Sequence, residues 1–154
     1  MIQLFTELQE KKNVRSNLSA LRASLKEATE EQKAQAIEFV RGHEDLVFGF
    51  LQEEDAKTRK NAALLLGDLA VQNALQPLWK AYTREQTLFV KSAYLEAMKA
   101  LHAEEILSQL KDRLAELEGE PVTEENRKHR EAELRALRAI LIQYEGIDTH
   151  HFDI

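Results

Sequence analysis

Asp55-Ala56-Lys57-Thr58-Arg59 opens the stretch that decides the fold. It continues through Asn61-Ala62-Ala63, Leu66-Gly67 and Leu69 into Ala74-Leu75-Gln76-Pro77-Leu78 and Tyr82. Shifted by 32 residues, the stretch falls on a second version of itself. Thr58-Arg59 lands on Val90-Lys91, Leu66 on Met98, Leu69 on Leu101, Ala74 on Ile106, Leu75 on Leu107, Leu78 on Leu110 and Tyr82 on Leu114. Apolar meets apolar at positions that a 3.6-residue period assigns to one face of two successive helices. Self-similarity at a fixed spacing marks an architecture in which each helix pair buries its face against its neighbours. Leu66 and Met98, and likewise Leu75 and Leu107, are expected in like surroundings.

Outward from this core the helical period continues in both directions. Leu4, Leu8, Val14, Leu18, Leu21 and Leu25 fall on one side of one or two helices within residues 1–28. Thr29-Glu30-Glu31-Gln32 matches a capping box, in which a threonine hydroxyl and a glutamine side chain satisfy each other's backbone amides. The helix it opens carries Ala36, Ile37 and Val40, and Gly42 sits where a left-handed terminal residue is wanted. Leu46, Val47, Phe50 and Leu51 mark a short helix. Asp55 is placed to cap a helix over about 56–70, followed by one over about 72–83; Thr87 starts a helix near 88–101, and another ends at Gly119. Pro121 and Thr123 break and restart the chain, and the last helix spans about 124–145 before Gly146. No segment alternates with the period of two that a half-buried strand requires.

The pattern over residues 55–114 resembles HEAT repeats of the short bacterial type. Asp55 to Arg59, Ala62-Ala63, Leu66-Gly67 and Leu69 look like the family's first helix, and Ala74-Leu75-Gln76-Pro77-Leu78 like the start of its second. The family's usual valine before the arginine is Thr58 here, and the second copy has Lys91 for the arginine and Lys99 where Gly67 stood. The resemblance returns at a shift of 39, with Leu95 on Leu134, Met98 on Leu137 and Leu101 on Ile140. It implies an all-α fold, a right-handed α-solenoid of about three to four helical hairpins in one domain. Residues 1–28 would cap it, 30–53 form a degenerate repeat, 55–83 and 87–118 two full repeats, 124–145 a C-terminal cap, and 147–154 a tail.

Composition bounds the function. Apolar residues make up 44% of the 154 and charged residues 31%, with two prolines and five glycines, an ordered and helix-rich balance. No stretch approaches the roughly 20 apolar residues of a membrane helix, and the N-terminus lacks the pattern of a signal peptide, so a cytoplasmic location is expected. Without cysteine there is no disulfide, thiolate nucleophile or Cys-ligated metal. The net charge of −6 opposes general polyanion binding. Residues 27–55 hold nine acids against two bases, more than the whole of that excess. A solvated acidic face is the ordinary reading of such a run.

No constellation points to chemistry. The five histidines, His43, His102, His129, His150 and His151, show no metal-ligand spacing on a helical face, and no metal or cofactor is expected. Neither a nucleophile elbow nor a phosphate-cradling glycine loop occurs, so the chain is expected not to be an enzyme. In HEAT stacks the second helices line the concave side, which implies a partner-binding surface of Asn73, Gln76, Lys80, Arg84, Ser108 and Asp112. Phe89, apolar in the first turn of its helix, is a further candidate contact. Trp79 is expected in or near the core.

The leading expectation is a non-catalytic scaffold that binds a protein partner through this face. A second, in which RNA is the partner, reads the chain as an accessory region. Its end, Glu145 to Phe152, is similar to N-terminal HEAT-like regions of bacterial RNA methyltransferases, and the last helix carries Arg127, Lys128, Arg130, Arg135 and Arg138. Interleaved Glu131 and Glu133 make helix-surface pairing the plain alternative. A DNA alkylation-repair glycosylase on a HEAT-like scaffold is disfavoured, because it needs a basic, aromatic-lined groove and aromatic residues are only 6% here.

Overall fold

The computed structural model describes residues 1–145. They are all-α: nine helices and three short 3-10 turns, with no strand. The helices are α1 (Ile2–Gln9), α2 (Val14–Leu25), α3 (Glu30–Gly42), α4 (Glu44–Gly49), α5 (Ala56–Asp68), α6 (Leu75–Arg84), α7 (Leu88–Lys99), α8 (Leu107–Gly119) and α9 (Arg127–Glu145). None of the described helices is long and apolar enough to cross a membrane. The expected tail over 147–154 lies outside the described residues.

The 32-residue shift reappears in the elements themselves. α5 begins at Ala56 and α7 at Leu88; the 3-10 turn Gln72–Ala74 is matched by Glu104–Ile106; α6 begins at Leu75 and α8 at Leu107. Leu66 and Met98 are both fully buried, as are Ala74 and Ile106, and Leu78 and Leu110. One pair departs from expectation. Leu75 is buried, whereas Leu107 is only half-buried.

The described residues fall into two compact units, 1–101 and 102–145. In the first unit α5 is the central helix, packed against α2 and α7, while α1 packs on α2 and α6 on α7. Small side chains let α5 and α7 come close: a Cβ added to Gly67 would lie 2.8 Å from the Ala97 Cα. Leu8, Leu18, Leu21, Val40, Phe50, Leu65, Leu66, Leu78, Tyr94 and Leu95 fill the core. Phe5, Phe39 and His43 form a stack at 4.4 and 4.6 Å between ring centroids, tying α1 to α3. Trp79 is half-buried, 5.4 Å from the Tyr82 ring, as expected for a residue at the edge of the core.

The second unit packs α8 against α9 around Leu110, Leu114, Leu117, Leu134, Leu137 and Ile140. Arg113 donates to the buried Glu133 carboxylate at 2.9 Å, and the Ala103 amide donates to the Tyr144 hydroxyl at 2.7 Å.

Helix ends follow the expected chemistry in part. Thr29 and Gln32 form both bonds of the capping box, at 3.1 and 3.0 Å. Asp55 accepts from the Thr58 amide at 2.9 Å, and Thr123 exchanges hydrogen bonds with Asn126 ahead of α9. The glycines behave otherwise. Gly42 and Gly119 lie within the last turns of α3 and α8, and neither has a positive φ. Left-handed ends occur instead at Lys11 (φ 57°) and Ala70 (φ 50°). After α5 the Val71 amide donates to the Leu66 carbonyl and the Ala70 amide to that of Gly67, each at 3.0 Å, which is the Schellman pattern. The chain cannot stop at Gly42 in this way because α4 starts two residues later, leaving only His43 between the helices.

Candidate functional site

Where α4, α6 and α7 approach the start of α5, the first unit holds an open cleft of about 710 Å³. One wall is Phe48, Leu51, Gln52, Glu53 and Glu54; the other is Pro77, Lys80, Ala81 and Arg84. The second set has the i, i+3, i+4, i+7 spacing of one helical face. Pro77 fits there because it sits in the first turn of α6, where its missing N–H has no intrahelical partner to lose.

A polar network forms the floor. Arg59 holds Glu85 in a two-point clamp, Nε to Oε1 at 2.9 Å and Nη2 to Oε2 at 3.0 Å. Its Nη1 donates to the backbone carbonyls of Glu53 and Glu54, each at 2.8 Å. Glu85 also accepts from the Tyr94 hydroxyl at 3.0 Å and from the Thr87 amide at 3.1 Å. Burial pushes the Glu85 carboxyl up, but Arg59, the Thr87 N–H and the Tyr94 hydroxyl outweigh it and hold it below the ordinary carboxylate range. Burial, followed by the Glu85 charge, raises the Tyr94 phenol above its usual value. Every strong donor and acceptor at the floor is thus used internally. The network fixes the loops at 53–55 and 85–87.

The rim differs. Lys80, Arg84, Glu53 and Glu54 are exposed, and among the described residues none of the four forms an ion pair. Two unpaired cations on α6 and two unpaired anions on the opposite wall give the cleft walls of opposite sign.

Of the residues expected to contact a partner, Lys80 and Arg84 share this cleft. Gln76 is exposed on the same helix but does not line it, and Asn73 donates to the Glu44 carboxylate at 3.1 Å. Phe89 is 46% exposed in the first turn of α7. Ser108 and Asp112 are exposed on α8, in the second unit. Three of the five basic residues of α9 have partners on the protein itself. Arg130 donates to the carbonyls of Leu117 and Glu118, Arg138 pairs with Glu118 at 3.7 Å, and Arg127 pairs with Glu131 at 3.9 Å. Lys128 and Arg135 are exposed.

Sequence reasoning missed Glu85 and Tyr94. A signal existed at the places where the two copies disagree: Glu85 corresponds to the buried Leu117, and Tyr94 to Ala62. Among the described residues no group of three His, Asp or Glu side chains could hold a metal ion, and His150 and His151 lie outside them. Comparison with protein-family models, with curated proteins and with solved structures returned no match in any of the three.

Proposed function

We propose that this chain is a HEAT-type stack of helical hairpins that works as a non-catalytic scaffold, binding a protein partner through the side of α6 that carries Lys80 and Arg84. The observation that carries the reading is the recurrence of a helix, a 3-10 turn and a second helix at a spacing of 32 residues, with Leu66 and Met98 buried alike. Repeats of this kind bury their core between neighbours and leave one face free to vary for recognition. The internally satisfied floor of the cleft favours binding over chemistry. A scaffold of this kind, in the cytoplasm, needs no cofactor.

Affinity capture with the whole chain as bait, at low and at moderate salt, tests this reading. A specific protein should be retained, and retention should weaken with salt because exposed charges are screened. Recovery of no protein under either condition sinks it.

A further inference from the structure

The partner's chemistry can be read from the two walls. We infer that the cleft between Phe48–Glu54 and α6 receives an amphipathic helical segment of a partner protein, with an apolar ridge flanked by acids on one side and bases on the other. The inference rests on the scaffold reading and gives it a binding mode.

Three observations carry it. The α6 wall presents residues 77, 80, 81 and 84 at the spacing by which one helix packs along another. Apolar Phe48, Leu51, Pro77 and Ala81 line the same space, and a volume of about 710 Å³ lies in the range that accepts a row of side chains. The four rim charges are left unpaired and separated by sign. An all-acidic segment would meet Glu53 and Glu54, and an all-basic one would meet Lys80 and Arg84; like charges brought together at an interface select against wrong partners. Only a segment carrying both signs complements both walls. Arg59 and Glu85 contribute rigidity here and no net charge, since each is consumed by the other.

Three fluorescein-labelled peptides of about 16 residues, long enough to be marginally helical, test the inference by anisotropy with the full-length chain. They share one leucine ridge and differ in their flanks: glutamate on one side and lysine on the other, glutamate on both, or lysine on both. The mixed peptide should bind about tenfold tighter than either control, and the advantage should fade at 1 M salt, where the screening length is about 3 Å. In the double variant K80E/R84E, whose changed residues are exposed, the preference should move to the lysine-flanked peptide. Circular dichroism of the variant should match the parent. Equal binding of all three peptides, or an unchanged order in the double variant, overturns the inference. A natural partner captured equally by parent and double variant also overturns it and moves the binding surface off the Lys80–Arg84 side of α6, while still leaving a protein-binding scaffold; capture of no partner removes the scaffold reading altogether.

Discussion

Ala70 and Gly67 stand three residues apart and have exchanged the usual duties at the end of α5: the alanine takes the left-handed turn and the glycine sits inside the helix. The exchange has a physical reason. Gly67 is required where α5 meets α7, since a methyl group there would press on the Ala97 backbone at 2.8 Å. Gly67→Ala should therefore destabilise by about 1–3 kcal/mol despite alanine's better helix propensity, as measured by urea unfolding; an increase in stability would mean the two helices are not so close. Ala70→Gly should do the opposite and stabilise by about 1 kcal/mol, because a left-handed residue with a Cβ carries that strain. A lower unfolding midpoint for this variant would contradict the Schellman end. At Glu85 the argument is electrostatic. Removing one partner of this half-buried pair costs its charge-assisted hydrogen bonds, so Glu85→Gln should cost about 2 kcal/mol at neutral pH. Its carboxyl is held below the ordinary range in the folded chain. The stabilisation is therefore present above the unfolded value of about 4.3 and is lost as pH falls through the lower folded value. Thermal melts should show the gap between parent and variant closing below about pH 4; a gap constant down to pH 3 would place the stabilisation elsewhere.

At the scale of the element, α3 depends most on its own ends. Only Ala36 and Val40 of its residues are buried, so packing supplies little and the capping box supplies much. Thr29→Ala should cost about 1 kcal/mol, and amide exchange should quicken in the first turns of α3 more than in α5. Uniform acceleration across both helices would show that α3 does not open independently. The short α4 has six residues, well below what an isolated helix needs, and it survives by packing Val47 into the core. This is why the loop after it can be positioned firmly enough for Arg59 to clamp the carbonyls of Glu53 and Glu54.

For the whole molecule the repeat makes a quantitative demand. Leu78 and Leu110 occupy equivalent, fully buried places in different units. Leu78→Ala and Leu110→Ala should each cost about 2–5 kcal/mol. Leu107→Ala should cost clearly less than Leu75→Ala, because Leu107 is less completely buried. Chemical unfolding of the four variants checks both statements. Near-equal losses at 75 and 107 would show that burial differs less than the structure indicates.

Much of the architecture was legible beforehand because it is written in local, periodic terms. Apolar spacing placed the helices, Thr29-Glu30-Glu31-Gln32 announced its own cap, and a 32-residue self-match located the equivalent core positions. Such features involve residues a few places apart along one chain segment, where geometry is fixed by the helix itself. The cleft was half legible: Lys80 and Arg84 followed from the α6 face. Glu85 and Tyr94 did not, because their partner Arg59 lies 26 residues from Glu85 and only folding brings them together. The same holds for the glycines. Their sequence positions suggested helix ends at Gly42 and Gly119, but whether a glycine serves a turn or a close approach depends on what packs opposite it. Patterning along the chain determined which faces must be buried; tertiary packing decided which charges were paired across the fold and which were left at the cleft rim.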